Sequence, residues 1–298
     1  MPKLPILEPI PVPERALDQA LDIQHDTDPA EDHGPARRIP HLGHAVLFFA
    51  LIVTAVLLFG AFIGSAAHIS TEQAEKAHPG LSLLALTLGY ITALLAAAWL
   101  FPRLWQRSFL QGIQWNALAA RRRWFWIMPA AVALSFAAQY SDLHFFPTPP
   151  DEALAHLMRT RHGIWFVTLF GILLAPLVEE IAFRGFLLPA FATAYDWLAL
   201  DRTPAGLHRW QGSSAHTPSA LLFAAIFSSI PFALIHADQL SHAWGAVSIL
   251  YAVSLALSFV RIRTHSVACS VLFHSTYNLT IFAVIFLQTG GYHHLERL

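Results

Sequence analysis

The sequence has few charged residues. Only 12% of its 298 residues are charged and 55% are apolar, whereas a soluble domain usually carries about 25% charged residues. The charge is also unevenly distributed, because residues 1–43 hold eight of the nineteen acidic residues and four of the eighteen Lys and Arg residues. The rest of the chain cannot present a water-facing surface on all sides. This composition excludes an ordinary soluble enzyme and predicts a membrane protein.

The chain also has a single cysteine and a net charge close to zero. Cys269 is the only cysteine, which excludes an intramolecular disulfide and any cysteine-based metal cluster. The formal net charge is −1, and no large basic domain is available to meet phosphates. The sequence therefore predicts no nucleic-acid partner.

The chain divides into a polar N-terminal segment and an apolar body. Residues 1–43 contain eight of the nineteen prolines and a run of acids from Asp18 to Asp32. Such a segment cannot bury enough apolar surface to order itself, so we predict a disordered tail. Residues 44–298 are predicted to form one transmembrane domain.

Apolar runs in this body have about the length needed to cross a bilayer, for which roughly 17–25 residues suffice. They are 45–66, 81–101, 124–140, 163–178 with a continuation to about 195, 217–235, 243–260 and 266–287. The fold class predicted is an all-α, polytopic bundle of seven transmembrane helices, or of eight if 186–200 forms a separate or re-entrant segment. We expect a break or kink near Pro231 in the fifth run.

The basic residues predict how these helices are oriented. If the N-terminus is cytoplasmic, thirteen basic residues lie inside and four lie outside. The inside set is Lys3, Arg15, Arg37, Arg38, Arg103, Arg107, Arg121, Arg122, Arg123, Arg202, Arg209, Arg261 and Arg263, and the outside set is Lys76, Arg159, Arg161 and Arg297. This asymmetry predicts a multi-pass protein with a cytoplasmic N-terminus. The membrane is expected to be a bacterial inner membrane.

One apolar run contains acidic residues. It reads LLAPLVEEIAFRGFLLPAF and carries Glu179, Glu180 and Arg184. A charge inside a spanning helix costs about 2.5–3.5 kcal/mol on insertion scales and is a candidate functional residue. Glu180 and Arg184 are four residues apart and can pair on one helix face. Glu179 points about 100° away, which leaves its carboxylate free to face a cavity.

Two further polar pairs follow on later apolar runs. Phe232 and His236 are four residues apart and are predicted to share one helix face, and the same holds for His274 and Asn278. A carboxylate in a low-dielectric site can take a proton from water, and a histidine can hold that water and later protonate the leaving amine. A second histidine and an amide can donate to a tetrahedral oxyanion. Together these groups favour hydrolysis of an amide with water as the nucleophile.

Other intramembrane protease designs find less support in the sequence. A zinc enzyme of the H-E-x-x-H type is excluded, because no His-Glu pair occurs. An aspartyl design has one candidate, Asp196, and no G-x-G-D partner. A serine design would rest on residues 212–216, which lie in a polar segment. A zinc ion held by Glu179, His236 and His274 stays an alternative, because these side chains suit zinc.

The three motifs, in this order, resemble those of the CPBP family of intramembrane glutamic proteases, also called Abi. That family includes type II CAAX prenyl proteases and bacterial bacteriocin-processing and self-immunity proteins. The resemblance covers about 165–285. It implies that Glu179 activates water and His236 helps to bind it. It also implies that His274 and Asn278 form the oxyanion hole. Glu180 and Arg184 would support the site, and so would Phe232 of the second motif.

The resemblance implies a membrane-associated protein or peptide as substrate and the lipid bilayer as surroundings. No cofactor is expected, although the family was formerly described as metallopeptidases, so a divalent metal such as zinc stays open. The alternative to a protease is a non-catalytic immunity or scaffold protein of the same fold. A small-solute transporter is less favoured, because the sequence shows no inverted repeat.

Overall fold

Helix is the only regular structure in the part of the chain that the structure describes. A computed structural model describes residues 38–69, 78–145, 155 and 157–297. We number its helices as follows: α1 Leu42–Ala67, α2 Pro79–Trp105, α3 Phe109–Gly112, α4 Ala117–Phe145, α5 Arg161–Leu198, α6 Pro204–Gly212, α7 Pro218–Leu234, α8 Trp244–Thr264 and α9 Val267–Gln288. The predicted all-helical membrane fold is confirmed.

Each of the seven predicted apolar runs lies within, or largely within, one of these helices. Within the described residues, five helices are long and apolar enough to cross a membrane, namely α1, α2, α5, α8 and α9, and α7 is a shorter apolar helix of 17 residues. The 124–140 run lies in α4, which begins with three arginines in its first two turns. The count of seven spans therefore stays a prediction.

Helix α5 continues through 186–198 without a break, so this segment does not form a separate helix, and the alternative of eight spans likewise stays a prediction. Of the predicted tail, residues 1–37 lie outside the described residues, and α1 already begins at Leu42. Residues Thr203–Ser214, which contain α6, do not belong to the compact unit that holds the other helices. In this segment the Thr203 hydroxyl caps α6 by accepting the Gly206 N–H at 3.2 Å.

Small residues bring α1 and α2 together. Ala85, Gly89, Ala93 and Ala97 recur every fourth residue along α2 and are all buried. A Cβ atom on Gly89 would lie 2.8 Å from the Cα atom of Val56 on α1. In a bilayer, helices associate through such close backbone approach, since lipid tails are as apolar as leucine side chains.

The π-helical turn Phe170–Leu174 interrupts α5 just before the acidic residues. At its end, the Ala175 N–H donates to the carbonyl five residues earlier. The next donor in this register would be Pro176, which has no N–H, so the Gly171 carbonyl has no helical partner there. The Asn278 amide of α9 donates to that carbonyl at 2.7 Å. The π turn therefore couples α5 to α9.

A second π-helical turn, Ile181–Leu187, follows the acidic residues and repeats this arrangement. The Leu188 N–H donates to the carbonyl five residues earlier, and the next residue is Pro189. The Arg184 carbonyl is left without a helical donor and accepts from Nε of the buried Arg261 on α8 at 3.3 Å. The segment with both glutamates thus lies between two turns that are tied to neighbouring helices.

The break expected near Pro231 is present. Helix α7 ends at Leu234, three residues after Pro231, and a series of turns leads to α8 at Trp244. His236 lies in these turns. The prediction that Phe232 and His236 share a helix face on a membrane helix is therefore wrong for His236, because the helix ends before it.

The close approach at Gly89 makes a stability prediction. Gly89→Ala should lower the melting temperature of the purified protein in detergent, because its Cβ atom would meet the backbone of Val56. The matched control is Gly60→Ala in α1, where nothing lies within 4 Å of the added Cβ. There the gain in helix propensity, about 1 kcal/mol, should keep or raise the melting temperature. Equal melting temperatures for the two variants would contradict the assigned packing.

Candidate active site

A cavity of about 390 Å³ lies among α2, α5, α8, α9 and the end of α7. Five of the seven predicted site residues line it, namely Glu179, Phe232, His236, His274 and Asn278. The other two, Glu180 and Arg184, are buried. The three motifs, which are far apart in the sequence, therefore meet at one place.

Glu180 is fully buried and bonded to two side chains. Arg184 Nη1 donates to Glu180 Oε1 at 2.9 Å, which confirms the pairing predicted from their spacing. His274 Nδ1 also lies 2.9 Å from Glu180 Oε1. Because a buried charge is tolerated only when it is paired and hydrogen-bonded, this carboxylate is committed to holding the site together.

Arg184 extends this network to a third helix. Its Nη2 atom donates to the hydroxyl of Ser254 on α8 at 2.6 Å and to the backbone carbonyl of the same residue at 2.7 Å. The guanidinium carbon lies 4.7 Å from the ring centre of Phe232, a cation–π contact. Phe232 also has its ring centre 5.1 Å from that of His236, so this residue packs between the arginine and the cavity.

Glu179 faces the cavity and has no such pairing within hydrogen-bond distance in the described part of the chain. Its Oε1 atom lies 3.9 Å from His236 Nε2, and its Oε2 atom lies 3.9 Å from His274 Nε2. These separations exceed a direct hydrogen bond. Polar groups at such a distance commonly interact through a water molecule. The carboxylate therefore stands opposite two imidazole nitrogens with its oxygen atoms uncommitted.

The hydrogen bond of Nδ1 fixes the orientation of each histidine ring and turns its Nε2 atom toward Glu179. His236 Nδ1 lies 2.8 Å from the Phe232 carbonyl, which can only accept, so Nδ1 carries the hydrogen. In the neutral ring, Nε2 is then an acceptor that points toward Glu179. His274 Nδ1 is likewise committed to the Glu180 carboxylate. Both rings are held by Nδ1 and present Nε2 to the cavity.

The side chains of the described residues do not form an assembled zinc site. With bonds of 2.0–2.2 Å, two tetrahedral ligand atoms are about 3.4 Å apart. Both Nε2 atoms are 3.9 Å from the Glu179 oxygens. No group of three His, Cys, Asp or Glu side chains in the described residues is placed to hold a metal ion. The expectation that the protein needs no cofactor is not tested by this geometry and stays a prediction.

Asp196, the single candidate for an aspartyl design, lies in a separate polar cluster. Its carboxylate accepts the Thr217 hydroxyl at 2.6 Å and lies 3.0 Å from His216 Nδ1 and 3.5 Å from Arg38 Nη1. Thr217 in turn caps α7 by accepting the Ala220 N–H at 3.2 Å. Burial lowers the pKa of His216, which the Asp196 carboxylate only partly opposes. The cluster anchors the start of α7.

Several lining residues were not found from the sequence. Tyr90, Gln239 and Tyr277 contribute polar side chains to the cavity, and Tyr90 comes from α2, outside the three motifs. No spacing distinguishes these residues from other interfacial tyrosines and glutamines. The contact of Asn278 with the Gly171 carbonyl was not predicted either, although a signal existed, because a proline such as Pro176 inside an apolar helix leaves a carbonyl about one turn earlier without its donor.

The Arg184 network makes a graded stability prediction. Arg184→Met should destabilise the protein most, by about 3–5 kcal/mol, because it leaves the Glu180 carboxylate buried without its cation. Ser254→Ala should cost less, about 1.5–3 kcal/mol, because the backbone acceptor remains. Ser248→Ala, an exposed serine on the same helix, is the matched control and should be close to neutral. Thermal melting in detergent checks the order, and a Ser254→Ala melting curve equal to that of the control would contradict it.

Comparison with known proteins bears on the same segment. Residues 161–280 match the family model of type II CAAX prenyl endopeptidases, Rce1-like. No curated protein and no solved structure matches the chain. The match begins four residues before the predicted core of 165–285 and ends five residues before its end, and it includes every predicted site residue. It confirms the resemblance carried by the three motifs. Over residues 161–280, this multi-pass membrane protein is therefore similar to the Rce1-like type II CAAX prenyl endopeptidases.

Proposed function

We propose that the chain is an intramembrane endopeptidase that uses water activated by Glu179 to cleave a peptide bond of a membrane-associated protein or peptide. One observation carries the proposal. The Glu179 carboxylate faces two imidazole Nε2 atoms inside a cavity, whereas the neighbouring Glu180 is neutralised by Arg184. One carboxylate is thus structural and the other is available for chemistry.

In the first step, a water molecule lies between Glu179 Oε1 and His236 Nε2. The carboxylate accepts one hydrogen of the water, and the unprotonated Nε2 of His236 accepts the other. As the water oxygen attacks the peptide carbonyl carbon, Glu179 takes the proton, and the carbonyl oxygen becomes a tetrahedral oxyanion. A general base placed in this way contributes about 10²–10⁴-fold to the rate.

The oxyanion needs hydrogen-bond donors, and two residues are placed to supply them. Asn278 has two N–H groups on its amide, of which one is donated to the Gly171 carbonyl. The second is directed by that bond and is available to the oxyanion. His274 donates from Nε2 when its ring carries both protons, since Nδ1 is held by Glu180. Pre-oriented donors of this kind stabilise the transition state without reorganising.

In the last step, the intermediate collapses and the carbon–nitrogen bond breaks. The proton taken by Glu179 passes to the leaving amine nitrogen, directly or through His236. The products are a carboxyl group that carries the water oxygen and a free amine, so that one water molecule is consumed and no covalent enzyme intermediate forms.

Replacing Glu179 tests this function. Glu179→Gln keeps the size of the side chain and removes the base, so cleavage should fall by at least about 10²-fold. C-terminal peptide mapping of membrane proteomes from cells with the wild-type or variant protein would identify the products that disappear. Asp238→Asn, which changes an exposed carboxylate that does not line the cavity, is the matched control and should leave these products unchanged. If no cleavage product depends on Glu179, the protein is not a protease of this kind, and the scaffold alternative holds.

Metal removal provides a second test. Because the 3.9 Å separations do not suit zinc ligands, cleavage of the identified product should persist after dialysis against EDTA or 1,10-phenanthroline. Adding zinc back should not raise the rate. Loss of cleavage that zinc restores would show that the site binds a metal and that the water is activated differently.

A further inference from the structure

The cavity extends from the glutamates toward one end of the bundle only. On α5 its lining residues run from Glu179 back to Val167, in the first half of the helix. On α9 they run from His274 forward to Phe282, and on α2 they lie near the start, from Leu83 to Tyr90. These segments all point to the end where α2, α5 and α8 begin and where α1, α4, α7 and α9 end. We call this the cavity end.

The opposite end of the bundle carries most of the arginines. At this end the start of α4 lies beside the end of α8 and the start of α9. The Val267 N–H donates to the Gln114 carbonyl at 3.2 Å, and Arg123 Nη1 donates to the Thr264 carbonyl at 3.1 Å. The arginines of this arginine-rich end are Arg38, Arg103, Arg107, Arg121, Arg122, Arg123, Arg202, Arg261 and Arg263. Among the described segments the cavity end has Arg159, Arg161 and Arg297.

Packed side chains close the bundle between the glutamates and the arginine-rich end. Three completely buried side chains lie between the site residues and the arginine-rich end. They are Phe186 on α5, Leu257 on α8 and Cys269 on α9. The Phe186 ring is stacked on Phe48 of α1 with ring centres 4.4 Å apart. Together with the paired Glu180, these residues form a floor below Glu179. The cavity is therefore closed toward the arginine-rich end.

We propose that the catalytic cavity opens on the extracytoplasmic side of the membrane and takes an uncharged, apolar segment of a membrane-attached substrate from that side. Arginine-rich ends of membrane proteins face the cytoplasm, which places the cavity end outside. The described lining residues include leucine, valine, phenylalanine and isoleucine and no lysine or arginine. The substrate part of the proposal rests on the proposed function, whereas the side on which the cavity opens does not.

The lone cysteine makes the side directly measurable. In a Cys269→Ala background, Gln239→Cys puts a thiol at the cavity, and Arg107→Cys puts one at the arginine-rich end. A membrane-impermeant maleimide is applied to spheroplasts of an expressing bacterium and to inside-out vesicles from the same cells. The Gln239→Cys variant should be labelled in spheroplasts, and the Arg107→Cys variant only in inside-out vesicles. Arg159→Cys is a second reporter for the cavity end and should behave like Gln239→Cys.

Each other outcome overturns a stated part of the proposal. Labelling of Gln239→Cys only in inside-out vesicles would place the cavity on the cytoplasmic side, and labelling from both sides would contradict the floor. No labelling of Gln239→Cys beside a labelled Arg159→Cys would show that the cavity is closed. Labelling needs no catalysis and should be the same with Glu179→Gln, so its result is separate from that of the protease test. Glu179-dependent cleavage sites in cytoplasmic segments would overturn the substrate class.

Discussion

The Glu180 carboxylate is the interaction on which the rest of the site depends. It accepts from Arg184 on its own helix and from His274 on α9, and Arg184 continues to Ser254 on α8. Removing one partner of a buried charge pair is far more costly than the pair itself is favourable. Three helices are therefore held in one register. In that register, His274 has a single remaining nitrogen, and this nitrogen faces Glu179.

The backbone of α5 imposes a second constraint that acts in the same direction. Prolines within a membrane helix leave carbonyl groups without donors, and such groups must find partners because lipid offers none. In this chain Pro176 and Pro189 leave two such carbonyls, one on either side of the glutamates. Asn278 donates to the first and Arg261 to the second. One of these is a proposed oxyanion donor. The requirement to satisfy the backbone thus positions a side chain for the proposed reaction.

Sequence reasoning predicted what depends on spacing within one helix. The Glu180–Arg184 pair and the separate direction of Glu179 follow from the helical repeat, and both are present. Contacts between distant segments could not be predicted in this way. The position of Tyr90 depends on how α2 packs against α5. The position of His236 depends on where α7 ends, which Pro231 suggested without fixing the residue. The number of membrane spans depends on the bilayer itself.

A protease inside a membrane must admit water to a buried peptide bond without letting ions cross. The distribution of charge in this chain meets both requirements. Glu179, His236, His274 and Asn278 form a polar surface in the cavity, and the Glu180–Arg184 pair is turned away from it. Between that pair and the arginine-rich end, the side chains of Phe186, Leu257 and Cys269 are completely buried. A continuous polar path would carry water and protons through the bundle. The neutralised pair and the buried side chains of the floor fill the bundle at this level and leave no exposed surface for water, so the proposed chemistry is confined to one side.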